Sequence, residues 1–284
     1  MRESLRERLG GKTRRRLSLG LVYLITWFFC VVIGYPVLWM VFQSLKTRQE
    51  MYQNIWGLPQ SWEFANYIEA WNLSNIGIYI WNSLFVAVAA VILVVVVCSL
   101  ASYAFAYLSF RGRLLLFFIF VMSLMLPLPI IPLYAVVSNL GLVNTRLGLI
   151  LPYAGQSMPL AIFLLTTFYQ GIGSEITDAA RVDGCSEFGI YSRIIMPIAK
   201  PGLATVVIFA FMNAWNEFFL ALVIARRRSV RTIPVGLEAF FSEYTVNWSA
   251  LFAALSIAIV PVVIVYVLMQ RQFIKALTAG AVKG

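Results

Sequence analysis

The stretch "VAVAAVILVVVVCSLA", Val86 to Ala101, carries no charge and no alternation of polar with apolar residues. A lipid-facing β-strand needs that alternation, because its two faces meet different surroundings, whereas a helix crossing a bilayer is apolar on every side. The stretch therefore reads as a membrane helix, and the rest of the chain agrees with it. Of 284 residues, 61% are hydrophobic and 12% charged. The mean hydropathy of +0.84 is far above that of a soluble domain.

Working outward, uncharged windows run over 17–45, 70–110, 114–145, 147–174 and 244–270, and over 201–225 with Glu217 as the one interruption. About 20 apolar residues cross the hydrocarbon core. The expected fold class is thus an all-α integral membrane protein with six transmembrane helices, at 19–42, 82–104, 114–136, 148–169, 202–225 and 248–270. No repeat or low-complexity tract divides the chain, so residues 1–284 read as a single transmembrane domain. Trp81 stands near one end of the second span and Tyr103 and Tyr107 near the other, about 33 Å away at 1.5 Å per residue, the spacing of interfacial aromatic belts.

Lysine and arginine counts set the expected orientation. With a cytoplasmic N-terminus, the inside segments hold fifteen and the outside segments seven, Lys46 and Arg48 among them, so both termini are expected in the cytoplasm. Arg226, Arg227, Arg228 and Arg231 run against this rule locally; anionic head groups and an acidic partner surface are the chemistries that would suit them. The net charge of +10 expresses this asymmetry and an N-terminal lipid anchor, "KTRRR", and not nucleic-acid binding. The window 17–45 is too long for the apolar region of a cleaved signal peptide and lacks a small-residue cleavage site, so the first span is expected to stay. Three cysteines, Cys30, Cys98 and Cys185, suggest neither a disulfide framework nor a metal site.

The chemistry is sparse. No G-x-x-x-x-G-K-[ST] loop is present, so the chain is not expected to hydrolyse nucleotides itself, and no catalytic motif groups a nucleophile with a base. There is no histidine, and Glu217 is the one ionisable acid or base inside a span, too little for most proton relays. A transporter without a motor must dock one. The segment large enough to do so is the cytoplasmic loop 171–200, whose centre reads "DAARVDGCSEFGIYSRIIMP", Asp178 to Pro197. Ser174 can cap a short helix with Glu175 in its first turn, Ile176, Ala179 and Ala180 share a face, and Gly184 can end it in the left-handed conformation. A second helix from Ser186 would show Phe188, Tyr191, Ile194 and Ile195 on one side before Pro197 stops it. Such a pair could fill a groove on a partner or lie flat in the head groups.

This segment resembles the cytoplasmic EAA signature of permease subunits in binding-protein-dependent ABC importers. The matching residues are Asp178-Ala179-Ala180, Gly184, Ile194 and Met196-Pro197, with Asp178 in place of Glu and Met196 in place of Leu. "PLPIIPLY" (127–134), "NTRLGLILPY" (144–153), "NAWNEFFLAL" (213–222) and "LTAGAVKG" (277–284) resemble the carbohydrate-uptake branch of that family, which contains maltose, trehalose and glycerol-phosphate permeases.

The resemblance implies a type I ABC importer permease in a prokaryotic plasma (inner) membrane. Its partners would be a second homologous permease, two ATP-binding subunits and an extracytoplasmic solute-binding protein, with ATP and Mg bound by the ATPase and no cofactor in this chain. The coupling contact would then rest on Asp178, Ala179, Ala180, Asp183, Gly184, Phe188, Ile194 and Pro197, with Ala279, Gly280, Lys283 and Gly284 as an ATPase-contacting tail. Pro127, Tyr134, Asn213, Trp215, Asn216 and Glu217 are the candidates for the pathway, since polar side chains and freed carbonyls in a span must face protein or water; the polar group on the fifth span would also serve as interhelical glue, and the prolines as a packing kink. The expected cargo is a sugar or oligosaccharide. The alternatives are glycerol phosphate or another polyol, a secondary carrier using Glu217, and a membrane scaffold without transport.

Overall fold

The computed structural model describes residues 2–73, 75–241 and 246–281, the side chains of 2–18, 73, 239 and 273–281 excepted. The regular elements are helices. In chain order they are α1 (Arg2–Ser44), α2 (Arg48–Gln53), α3 (Ala65–Leu73), α4 (Ile76–Tyr107), α5 (Arg113–Ser123), α6 (Ile130–Asn139) and α7 (Leu147–Ile172). After these come α8 (Glu175–Val182), α9 (Glu187–Ile190), α10 (Met196–Ile198), α11 (Lys200–Asn216), α12 (Phe219–Ile224), α13 (Ile233–Gly236) and α14 (Trp248–Ala281).

Among the described residues, four helical stretches are long and apolar enough to cross a membrane: Leu19–Ser44, Ile76–Tyr107, Leu147–Ile172 and Trp248–Gln272. The other two expected spans are interrupted. The third, 114–136, divides into α5 and α6. Pro127 and Pro129 lie in the gap and bring no N–H to a helical ladder, so the ladder stops after Ser123 and restarts at Ile130. The fifth, 202–225, divides at Glu217, whose backbone is extended (ψ 119°). The Leu220 N–H donates to Glu217 Oε1 at 2.7 Å, so this carboxylate supplies the first turn of α12 with the acceptor that the break removes.

The described residues fall into two compact units. One comprises those within 1–70 and 244–257. In it the turn after α1 closes on a shared acceptor, the Ile55 carbonyl, which takes hydrogen bonds from Trp39 Nε1 (3.0 Å) and Gln43 Nε2. Lys46, read from the sequence as an outside charge, is buried and donates from Nζ to the Asn54 carbonyl at 2.5 Å.

The other unit, within 71–243 and 258–284, is built on α4, α7 and α11, which pack against one another. Lipid tails are as apolar as the side chains they would replace, so burying apolar surface does little to associate helices in a bilayer, and close packing and cross-helix hydrogen bonds do it instead. Their buried residues mix small with large: Ser83, Ala87, Ala90, Cys98 and Ser102 with Tyr79 and Tyr103 on α4, Ala154, Ser157 and Ala161 with Tyr153 and Tyr169 on α7, and Gly202, Ala210 and Ala214 with Phe211 and Trp215 on α11. Ser102 Oγ donates across to the Ile162 carbonyl at 3.3 Å.

The start of α4 is fixed by one side chain. Fully buried Asn82 donates from Nδ2 to the carbonyls of Ser229 (2.8 Å) and Arg231 (3.1 Å), and its Oδ1 accepts from Arg146 Nε at 3.1 Å. Asn144 completes the junction: its N–H reaches the Ile224 carbonyl (3.0 Å), and its Oδ1 accepts the Arg227 N–H (2.8 Å). Asn82→Ala would remove three hydrogen bonds to part-buried partners, so we expect a loss of about 0.5–1.5 kcal/mol, visible as a lower unfolding midpoint in detergent.

Candidate functional site

The polar segment between α7 and α11 folds as two short helices meeting at a corner. Thr177 and Ala180 of α8 turn inward. Gly184 has φ +80°, and the Cys185 N–H bonds the Ala180 carbonyl at 3.0 Å, the closure of a helix end that uses a left-handed residue. Ser186 Oγ then accepts the Gly189 N–H at 3.2 Å and caps α9. Ser174, expected to cap α8, makes no such side-chain bond.

The expected apolar face of α8 is corrected. Ala180 is 6% exposed and belongs to the core, whereas Ile176, Asp178, Ala179 and Asp183 are exposed, and Val182 is exposed to 88%. A step of three residues returns a helix to nearly the same face, so Thr177 and Ala180 turn in while Ile176, Ala179 and Val182 turn out. The second face is also divided: Ile190, Tyr191 and Ile195 are buried, Ile194 is half-buried, and Phe188 stands 71% exposed. Pro197 does not end the helix. A π turn at Tyr191–Ile195 carries the Met196 N–H to the Tyr191 carbonyl, and Pro197 then occupies the first turn of α10, where its missing donor costs nothing. The chain bends by 78° between Glu187–Ile198 and Lys200–Asn216.

A charged cluster spans the corner. Arg181 Nε donates to Glu187 Oε1 at 2.7 Å and Nη1 to Asp178 Oδ1 at 2.7 Å. Glu187 Oε2 accepts from the Tyr103 hydroxyl of α4 at 2.6 Å. The bonds from Arg181, and after them the one from Tyr103, hold the Glu187 carboxyl below the usual carboxylate range, while Glu187 raises Arg181 above its own. The pair is thus complete at neutral pH and comes apart as the pH falls through the lowered carboxyl value. Tyr103, expected in an interfacial aromatic belt, is 4% exposed, and its hydroxyl is held by this partner.

Within the membrane part, Asn213, Asn216 and Glu217 line one cavity of about 480 Å³ together with Gln156 and Ser157 of α7. Asn213 Nδ2 donates to Ser157 Oγ (3.1 Å) and Gln156 Oε1 (3.3 Å). Trp215 is not among the lining residues; it is 3% exposed and stacks on Phe211 at 5.5 Å. Pro127 lies elsewhere, in an apolar cavity of about 740 Å³ with Pro129, Pro152 and Pro159. Tyr134 lines neither cavity and carries the Arg226 guanidinium over its ring at 5.5 Å. Gln156 and Ser157 were missed from the sequence because two isolated polar residues in an apolar span form no motif. In the tail, Ala279 and Gly280 continue the backbone of α14, while Lys283 and Gly284 fall outside the described residues.

Apolar spans, two interrupted helices beside one apolar and one polar cavity, and an exposed helical corner define a multi-pass membrane transport protein. Residues 96–279 match the family described as "Binding-protein-dependent transport system inner membrane component", and the chain belongs to it. It is a permease subunit of an ABC importer, a class that works with a partner ATPase and a solute-binding protein. The chain is 34% identical to the diacetylchitobiose uptake system permease protein NgcG of Streptomyces coelicolor, over 94% of this chain and 89% of that one. It is 32% identical to the arabinooligosaccharides transport system permease protein AraQ of Bacillus subtilis, over 94% and 93%. Its fold is shared with a bacterial ABC transporter involved in the import of the acidic polysaccharide alginate, at a TM-score of 0.80 and 23% identity, covering 91% of this chain and 97% of that one.

The two alanines of the corner should separate cleanly. Ala180→Arg buries an unpaired charge, and we expect it to cost more than about 3 kcal/mol and to be lost at the stage of insertion or purification. Ala179→Arg points outward and should purify with an unchanged melting temperature.

Proposed function

We propose that this permease carries a sugar or oligosaccharide inward as one of two homologous subunits, driven by two ATPase subunits that bind the corner 174–197. The observation that carries the coupling role is the exposure of Ile176, Val182 and Phe188, three apolar side chains on a segment otherwise rimmed by Asp178, Asp183 and Arg193. Large exposed apolar side chains within a charged rim suit a partner's groove. ATP hydrolysis belongs to the partner. The N-terminus, the corner and the end of α14 face the cytoplasm, in keeping with the fifteen-to-seven distribution of basic residues. A solute-binding protein approaches from the opposite side.

For the cargo, the support comes from relatives named for diacetylchitobiose and arabino-oligosaccharides and from the chemistry of the smaller cavity. Its polar lining is amide, hydroxyl and carboxylate, from Gln156, Asn213, Asn216, Ser157 and Glu217, and holds no cation. Such groups exchange hydrogen bonds with neutral hydroxyls, whereas a phosphate calls for Arg or Lys. Glycerol phosphate is therefore the poorer fit. Glu217 as a proton carrier is also poorly supported, since its carboxylate is engaged by the Leu220 N–H.

The coupling role is tested by co-purification. Phe188→Asp and Ala179→Arg should release the ATPase subunits from an otherwise intact permease pair, and retention of the ATPases by both variants would sink this reading. Titrating the cognate solute-binding protein with diacetylchitobiose, arabinotriose, maltotriose and glycerol 3-phosphate tests the cargo. Binding is expected among the oligosaccharides, and binding of glycerol phosphate alone would reverse the assignment.

A further inference from the structure

The last two turns of α4 carry a stripe that the transport reading has not used. Ser99, Tyr103 and Tyr107 follow at i, i+4 and i+8, on one face of the helix, and each is tied to what lies beside it. The Ser99 and Tyr191 hydroxyls are 2.7 Å apart, and the Tyr103 hydroxyl donates to Glu187 Oε2 at 2.6 Å. The Tyr107 hydroxyl donates to the Tyr169 carbonyl of α7 at 2.7 Å, and its own carbonyl lies 3.4 Å from Arg181 Nη2. The rings pack as well, Tyr103 against Tyr107 and Tyr191 at 5.3 and 5.6 Å.

Opposite this stripe is a corner that would otherwise be soft. Gly184 turns with a left-handed φ, residues 182–188 are exposed, and two helices of eight and four residues meet there. Arg181 and Glu187 stand on the two sides of the corner and close it through the Nε–Oε1 bond. The same carboxylate reaches α4 with its other oxygen. One side chain thus holds both arms of the corner and the transmembrane helix.

We infer that Arg181, Glu187 and Tyr103 are positioning residues that lock the ATPase-docking corner to α4, so that a displacement imposed on the corner moves α4 as a rigid body. The inference rests on the docking role proposed above. A hinge at Gly184 without the lock would absorb the displacement in loop torsions. With it, α8, α9 and the inner turns of α4 move together, and α4 passes the movement to α7 through the Tyr107–Tyr169 and Ser102–Ile162 bonds.

The test is a distance measurement on the full complex of this chain with its partner permease and ATPase subunits, in nanodiscs. Spin labels are placed at Glu175→Cys on α8 and Trp81→Cys near the outer end of α4, with Cys30, Cys98 and Cys185 replaced, and MgATP with vanadate is the probe. With the lock intact, the distance distribution should keep its centre and width between the nucleotide-free and trapped states. In Glu187→Gln/Tyr103→Phe it should shift or broaden on trapping. A shift with the lock intact, or an unmoved distribution in the double variant, would overturn the inference. If the double variant fails to assemble, Tyr103→Phe alone, which keeps both ring contacts, carries the same two outcomes. Failure of the ATPases to co-purify with the unaltered chain overturns the docking role instead, and the nucleotide-free width in Tyr103→Phe then still decides whether the lock exists.

Discussion

A backbone amide or carbonyl in hydrocarbon has no water to bond, so a chain crossing the bilayer leaves the helix where it carries its own remedy. The two interruptions in this permease follow that rule. Between α5 and α6 the gap contains Pro127 and Pro129, residues with no N–H to satisfy. Between α11 and α12 the Glu217 carboxylate takes the Leu220 N–H. Both interruptions open onto cavities, the first lined by Pro127 and Pro129, the second by Asn213, Asn216 and Glu217. The cavities and the broken spans are thus two expressions of one constraint.

The same solvent removes the usual force for helix association, which throws the work onto packing and a few polar links. These links gather at the two ends of α4. Asn82 near its start joins Arg146 and the backbone of 229–231, and Ser99, Tyr103 and Tyr107 near its end join the corner and α7. Between them the buried residues are Val86, Ala87, Ala90, Val91, Val94 and Cys98, none with a hydroxyl, amide or charge. A helix held by directional bonds at its ends and by shape along its middle is suited to move as one piece.

The helical class, the apolar spans and the glycine corner were legible because each has a local cause: unbroken hydropathy, or a residue type that a given φ requires. The breaks at 124–129 and 217–218 were not, since composition does not distinguish a bent helix from an interrupted one. Tyr103 and Lys46 show a second limit. Each was read by its position, as a belt residue and an outside charge, yet both are buried by partners distant in sequence, Glu187 for the first and the Asn54 carbonyl for the second. Asn213, Asn216 and Glu217 were found as polar residues in a span; Gln156 and Ser157, which complete their cavity, had no motif to announce them. The arginines at 226–231 gain a local account. Arg226 lies over Tyr134, the Arg227 backbone is held by Asn144, and the carbonyls of 229 and 231 are held by Asn82.

Asp178-Ala179-Ala180 looks like one motif with one task, but the geometry divides it. Two consecutive helical residues point about 100° apart, so Ala179 is presented outward while Ala180 enters the core to which Ile190, Tyr191 and Ile195 also belong. A larger side chain at 180 would push the corner off the permease, and one at 179 would hold a docked partner away. Smallness is needed twice, for different neighbours. Asp178 stands between these tasks: exposed, and tied to Arg181 at 2.7 Å, it places a carboxylate on the proposed docking face whose position depends on the arginine that reaches Glu187 and, through it, α4. The contact surface and the lock behind it therefore share a residue, and a partner that pulled on Asp178 would pull on Arg181.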